Sequence, residues 1–124
     1  MEILNLDNTG NFKISNANRT ILFMDADNET FYTRRIVVNQ HTWPDYVFKK
    51  NYRLMPLNIV KQYIDQNGHL PNVPSEKEVI EEGVDLAEMN KILLEKIEEL
   101  TLYTIQQQEE IEKLKEIVGK IVEK

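Results

Sequence analysis

Residues 86–121 read LAEMNKILLEKIEELTLYTIQQQEEIEKLKEIVGKI. Apolar side chains recur there at alternating intervals of four and three residues, which is the heptad pattern whose a and d positions form the seam of a coiled coil. The d positions are Leu86, Leu93, Leu100, Gln107, Leu114 and Ile121, and the a positions are Asn90, Ile97, Thr104, Ile111 and Val118. Eight of these eleven residues are apolar. The unbroken spacing predicts one long helix of roughly 57 Å and a left-handed supercoil.

This seam predicts self-association. Residues 1–85 are too few to cover so long a stripe, although an amphipathic helix packed on its own domain is the alternative. Thr104 and Gln107 interrupt the apolar seam, and polar core residues help to fix register at a cost in stability. Ile at a with Leu at d favours two strands in a parallel coil. Near the middle of the helix four apolar residues lie off the seam, which suits either a higher oligomer or packing of the upstream segment on the upper helix: Leu94, Leu102, Tyr103 and Ile105.

The first 40 residues show the pattern of short β-strands. Apolar and β-branched runs occur at residues 3–6, 12–14, 20–24 and 30–39, and they are separated by clusters of Asn, Asp and Gly. Strands at such spacing, joined by turn-forming residues, indicate a small all-β unit.

Residues 41–85 form a connector with two predicted short helices. One helix begins at Pro56 or Leu57 and ends near Asn67, where Gly68 is placed to act as a left-handed cap. The second helix begins with the capping box Ser75-Glu76-Lys77-Glu78 and ends at Gly83. Four aromatic residues crowd the start of the connector, and we interpret them as a packed cluster: Trp43, Tyr46, Phe48 and Tyr52.

Composition excludes several classes of function. The net charge is −6 with no basic block, which argues against non-specific nucleic-acid binding. No signal peptide is visible and no stretch has the ~20 apolar residues of a membrane span, so we predict no membrane insertion. A zipper transcription factor needs a basic helix just before the coil, whereas residues 76–88 are acidic.

No motif indicates catalysis, a cofactor or a metal. There are no cysteines, and His41 and His69 stand alone. Residues 25–29 begin like a calcium loop but lack its later glycine and glutamate. Ser75 with Lys77 is a Ser–Lys pair only formally, because Ser75 belongs to the capping box. The acidic pairs Glu98-Glu99 and Glu109-Glu110 are interpreted as a solvated face.

Several ordered motifs carry a resemblance to a known family. They are Trp43-Pro44-Asp45-Tyr46-Val47-Phe48, Asn67-Gly68-His69-Leu70-Pro71, Val73-Pro74-Ser75, Gly83-Val84-Asp85-Leu86 and the run from Leu93 to Tyr103. Together they resemble the C-terminal module of tail-fibre-like and surface proteins of Bacteroidetes bacteria and their phages, over about residues 31–112. The resemblance implies a fibre terminus in which three chains wind together, on a virion tail fibre or at the cell surface. It also implies a distant similarity to intramolecular-chaperone fibre tips, some of which cleave themselves, although this chain lacks a match to their serine and lysine motifs.

The sequence therefore predicts an α+β protein. We expect a β-rich shaft end at residues 1–40, the aromatic connector at 41–85, and a parallel trimeric coiled coil at 86–124, with a dimer as second choice. The expected function is non-enzymatic: the coil registers identical chains. Two alternatives remain, an autoproteolytic chaperone and a receptor- or glycan-binding tip that uses Trp43 and Tyr46.

Overall fold

A computed structural model describes residues 3–6, as backbone only, and residues 9–123. The chain divides into two compact units, and the boundary along the chain lies between Asn39 and Gln40. The first unit is a β-sheet and the second contains the helices. The α+β class predicted from the sequence is thus confirmed.

The first unit is an antiparallel meander. Its strands are hydrogen-bonded in chain order: β1 Ile3–Leu6, β2 Phe12–Asn16, β3 Arg19–Asp25 and β4 Thr30–Thr33. β2 and β3 pair with a register shift between Ile14 and Ser15. The predicted strand at residues 30–39 is wrong in its second half. The pairing of β3 with β4 ends at Leu22 and Thr33, and residues 34–39 are irregular.

Side-chain amides and carboxylates shape the turns of the sheet. The Asn16 Oδ1 accepts hydrogen bonds from the backbone N–H groups of Asn18 and Arg19, at 3.1 and 3.0 Å. The Asp25 carboxylate accepts from the backbone and side-chain nitrogens of Asn28, at 3.1 and 2.9 Å. These bonds explain why the Asn- and Asp-rich segments form turns instead of continuing the strands.

The sheet has no buried core among residues 9–39, whose side chains the structure describes. No side chain among residues 9–39 is buried, although Phe23 and Tyr32 stack across β3 and β4 with ring centroids 5.8 Å apart. Phe31, on the edge strand β4, is 49% exposed. A four-stranded sheet without a packed face is marginal by itself in water.

The second unit contains one 3₁₀ helix and three α-helices. Their bounds are Pro44–Phe48 for the 3₁₀ helix, Leu57–Asn67 for α1, Glu76–Glu82 for α2 and Leu86–Val122 for α3. The sequence predicts all three α-helices and their caps, whereas the 3₁₀ helix is a new feature. Gly68 has φ +76° and its N–H donates to Ile64 O at 2.8 Å, as expected for a left-handed cap.

Both N-terminal caps of the later helices form as predicted. The Glu78 N–H donates to Ser75 Oγ at 3.3 Å, and the Glu78 carboxylate accepts from the Ser75 N–H at 2.9 Å, which completes the capping box. At the start of α3, Asp85 accepts from the Glu88 N–H at 2.9 Å. These caps satisfy backbone donors that no helical partner can reach.

The small core of the second unit lies between the 3₁₀ helix and α3. Val47 and Pro44 of the 3₁₀ helix are fully buried. Pro44 fits the first position of this helix because its missing N–H would have no partner there. Beyond this contact α3 continues to Val122, and every side chain from residue 104 to residue 123 is exposed.

Candidate functional site

The a and d positions of α3 stay open to solvent along the whole helix. The eight apolar seam residues are between 46 and 67% exposed, and the polar seam residues Asn90, Thr104 and Gln107 are exposed as well. The predicted interface residues are therefore brought together as one continuous stripe on one helix. No segment of the second unit covers that stripe.

The other faces of the upper helix are covered by the connector. Between residues 91 and 103, every position off the seam except Thr101 is half-buried or buried, whereas the seam residues Leu93, Ile97 and Leu100 are exposed. Leu102 and Tyr103 are among the covered residues. Of the two explanations for the off-seam apolar residues, the structure thus supports packing of the upstream segment on the upper helix for these two and for Leu94. Ile105, at 50% exposure, is not covered.

The connector runs alongside α3 in the same direction and makes about one polar contact per turn. Lys91 Nζ donates to Thr42 Oγ1 at 2.7 Å. The hydroxyl groups of Tyr46 and Tyr52 donate to the carboxylates of Glu95 and Glu99. Further along, the Tyr103 hydroxyl donates to the carbonyl of Met55. This ladder fixes which face of α3 the connector covers, and it leaves the a/d seam free.

A charge network lies within this contact. Lys96 Nζ lies 2.8 Å from Glu99 Oε2 and 3.5 Å from Glu95 Oε1, and all three side chains are less than one-fifth exposed. The two carboxylates are therefore neutralised in part by a shared ammonium group while each accepts a tyrosine hydroxyl. Carboxylates that are hydrogen-bonded and paired in this way tolerate partial burial.

The phenol groups are held in their protonated form. The hydrogen bond to Glu95, together with burial and the nearby carboxylates, raises the pKa of Tyr46 to about 12. Burial, followed by the hydrogen bond to Glu99, also raises the pKa of Tyr52. Ionising either phenol would place a negative charge against a carboxylate.

We expect this contact to loosen at alkaline pH. The folded-state pKa of Tyr46 lies above its ordinary value of 10.0, so its contribution to stability is complete below pH 10 and is lost as the pH rises through about 12. An absorbance titration should show late-titrating phenols, and Tyr46→Phe should remove one of them. The same titration in urea, where the contact is absent, should show no late phenol. A parent protein without a late phenol would contradict the contact.

One acidic residue differs from the sequence interpretation. Glu98, interpreted above as part of a solvated face, is only 7% exposed, and the Asp45 carboxylate is among the groups that raise its pKa. Glu99 is half-buried as well. The interpretation fails because the 3₁₀ helix covers this side of α3, and no sequence pattern predicts that helix. Glu109 and Glu110 are exposed, as predicted.

The two aromatic candidates for ligand contact have different surroundings. The Tyr46 hydroxyl is bonded to Glu95, and its ring lies 5.9 Å from that of Tyr52. Trp43 is 52% exposed at the start of the 3₁₀ helix. The predicted packing of the aromatic cluster is wrong for three of its four members, because Trp43, Tyr46 and Phe48 are 52, 36 and 55% exposed and only Tyr52 is half-buried.

Other candidate reactive side chains have structural contacts. Ser75 caps α2, as described above. The His69 ring lies edge-on to Tyr63, with centroids 5.6 Å apart, and its Nδ1 lies 2.9 Å from the carbonyl oxygen of Leu70.

A cleft of about 500 Å³ lies beside the seam, and sequence reasoning missed it. Seam residues Leu93, Ile97 and Leu100 form one wall. The opposite wall comes from the connector and includes Leu57 and Leu70. The sequence feature that could have indicated the cleft is the apolar face of α1, which includes Leu57 and Val60. The contact between the 3₁₀ helix and α3 does not cover this face.

Comparison of the chain with protein-family models, with curated proteins and with solved structures found no match. Within residues 3–6 and 9–123, no helix is both long enough and apolar enough to cross a membrane.

Proposed function

We propose that this chain is a structural oligomerisation module whose α3 helices associate through their a/d seams. One observation carries the proposal: between residues 91 and 103, every side chain of α3 off the seam except Thr101 is at least half-buried, whereas the seam is exposed. Burial of apolar surface contributes about 25 cal/mol per Å², so a stripe of eight half-exposed apolar residues favours association strongly. A second copy of the same chain presents the matching stripe.

The lower part of α3 supports the same conclusion. Residues 104–123 are exposed on all sides, and in proteins most helical stability comes from packing of an amphipathic face and not from propensity. A helix there gains its stability from tertiary or quaternary packing. Association along Ile111, Leu114 and Val118 would supply that packing.

The residues that flank the seam favour a parallel, in-register arrangement. In such a coil each g position faces the e position five residues later on the neighbouring chain, where charged pairs set orientation. Glu110 would then face Lys115 of a second copy, and Ile117 would face Val122. The remaining pairs are Met89 with Leu94, Lys96 with Thr101 and Tyr103 with Gln108, so no like charges meet.

We propose three chains per particle. At the C-terminal end the apolar face is wider than the seam, because Ile117 and Val122 lie beside Val118 and Ile121 and are 52 and 77% exposed. A helix in a three-stranded coil contacts two neighbours and buries a wider face than a helix in a pair. The resemblance to trimeric fibre termini supports the same number, although the choice of Ile at a and Leu at d alone favours two strands.

The edge strands of the β-sheet suggest what the association would do. β1 and β4 are the edges of the sheet, and open strand edges readily pair with other chains. Three chains held together by α3 would bring three such sheets within reach of one another in matched register. We therefore propose that the module registers a β-rich fibre upstream, as expected for the end of a tail fibre or surface protein.

Sedimentation equilibrium of the full chain tests this proposal. A trimer has a mass of about 44 kDa, three times the chain mass of 14.6 kDa. A particle of about 29 kDa would support an oligomerisation module but would show that it contains two chains and not three. A monomer at micromolar concentration would overturn the proposal.

The polar seam residues provide a second test. Replacing Thr104 and Gln107 with Ile should raise the thermal midpoint, because these side chains would be buried in the particle at a cost. A gain of about 1 kcal/mol corresponds to roughly 4–8 °C for a domain of this size. The double variant Gln106→Ile and Glu109→Ile, at exposed c and f positions off the seam, is the control. An unchanged or lower midpoint for the seam variant would contradict burial of Thr104 and Gln107.

A further inference from the structure

The cleft beside the upper seam has two apolar walls and an open mouth. Leu93, Ile97 and Leu100 belong to α3, whereas Leu57 and Leu70 belong to the connector. All five side chains are between 42 and 62% exposed. The first three are also seam residues, so the cleft and the seam form one continuous surface.

This continuity identifies the occupant. Any helix that covers Leu93, Ile97 and Leu100 must lie across the mouth of the cleft. If the proposed function holds, that helix is α3 of a second copy. The connector wall would then meet the neighbouring helix, so contact between chains would extend beyond the coiled coil.

The side of the cleft specifies which part of the neighbour enters it. Lys96 and Tyr103, both at g positions, line the cleft together with α1 residues Leu57 and Val60. In a parallel coil the g side of one helix faces the e side of the next. By the pairing of g with e positions given above, Lys96 and Tyr103 would face Thr101 and Gln108 of the neighbour.

Neither of those e positions would bring a charge against the apolar wall. Thr101 and Gln108 are uncharged, whereas the next e position, Lys115, is charged and would face Glu110. The charged flank therefore occurs where the connector is absent, and the uncharged flank occurs where the connector wall stands. If all e positions faced only solvent, the e positions beside the connector wall would have no reason to differ in charge from those further along.

We propose that the cleft between α1 and α3 receives α3 of a second copy at the level of Thr101 to Gln108, so that each connector clamps a neighbouring chain. This proposal rests on the proposed function and deepens it. The clamp would add contact between chains beside Thr104 and Gln107, which interrupt the apolar seam.

Photocrosslinking tests the clamp directly. A benzoylphenylalanine at position 57 should link to a peptide containing Thr101 to Gln108, and a mixture of isotopically labelled and unlabelled chains should show that the link joins two copies. The same group at position 80, where Ile80 is 75% exposed and does not line the cleft, is the matched control and should give no such link.

Leu57→Asp provides an independent measurement. It should weaken association about tenfold without changing the helical content of the assembled particle, whereas Ile80→Asp should leave association unchanged. An oligomeric particle in which position 57 links only within its own chain, or to nothing, and Leu57→Asp has no effect, would overturn the clamp alone. A monomeric parent protein would overturn both the clamp and the proposed function.

Discussion

Leu114→Asp should dissociate the particle into single chains at concentrations where the parent protein is fully assembled. Leu114 is a d residue that is 59% exposed in the single chain, so the folded monomer does not depend on it. In the particle its burial would contribute about 1.5–3 kcal/mol per chain, and a carboxylate at the same place would add a desolvation cost. We expect association to weaken by at least about 100-fold, which corresponds to about 3 kcal/mol.

Sedimentation equilibrium and circular dichroism measure the two consequences. The molar mass should fall to that of one chain. Helical content should also fall, because residues 104–123 contact nothing else in the second unit and would fray without a partner. Helicity of the upper part, where the connector contacts α3, should persist.

Gln106→Asp is the matched control. It introduces the same side chain and the same change in charge on the same helix, at an exposed c position. Its particle should remain assembled. If Leu114→Asp sediments like the parent protein, or if Gln106→Asp dissociates equally, the seam is not the interface.

Local signals in the sequence predict most of the fold. Ser75 and Glu78 mark the start of α2 because a capping box is a bond between residues three apart, and Gly68 marks the end of α1 for a similar local reason. The heptad spacing predicts α3 across its full length. Each of these features depends on residues at fixed, short spacings along the chain, so it can be predicted from the sequence.

The features that the sequence does not predict depend on distant contacts. The 3₁₀ helix Pro44–Phe48 has no periodic pattern, and its place on α3 is set by side chains almost 50 residues away, as in the bond from Tyr46 to Glu95. The burial of Glu98 and the cleft both follow from that contact. Leu102 and Tyr103 indicate that something covers the helix there, but they do not identify the covering segment.

The candidate surface follows the same division. Its seam residues are predicted by spacing, because an a/d pattern needs no knowledge of the rest of the fold. The seam's isolation from the connector is a tertiary property: the tyrosine–glutamate ladder places the connector on the other faces of α3. The number of chains in the coil depends on how many neighbours each helix contacts. The heptad pattern bears on that number only through the choice of a and d residues and through the flanking e and g positions.

Glu98→Gln should stabilise the second unit at neutral pH. Glu98 is 7% exposed, its Oε2 has no hydrogen-bond partner among the described residues, and its carboxyl group faces that of Asp45. Burial, the charge of Asp45, its hydrogen bond to Glu98 and the charge of Glu95 together raise the pKa of Glu98. A glutamine offers amide donors to the Asp45 carboxylate and removes the buried charge. Relief of such an unsatisfied group is worth about 1–3 kcal/mol.

The effect should depend on pH in a defined direction. Because the folded-state pKa of Glu98 is raised, its protonated form stabilises the fold fully below its ordinary value of 4.5, and this contribution is lost as the pH rises through the raised pKa. The advantage of Glu98→Gln should therefore be large at pH 7 and small at pH 4.5. The difference between the two proteins isolates Glu98 from the other carboxylates that titrate in this range.

Urea unfolding in the Leu114→Asp background measures this effect without a contribution from association. Trp43 is the single tryptophan, and it precedes the 3₁₀ helix that covers Glu98, so its fluorescence reports on this contact. Glu109→Gln, at an exposed position of the same helix, is the control and should change the free energy of unfolding by less than about 0.5 kcal/mol. A destabilised Glu98→Gln variant, or a gain that is equal at both pH values, would show that the Glu98 charge is not buried against Asp45, and the packing of the 3₁₀ helix on α3 would have to be different.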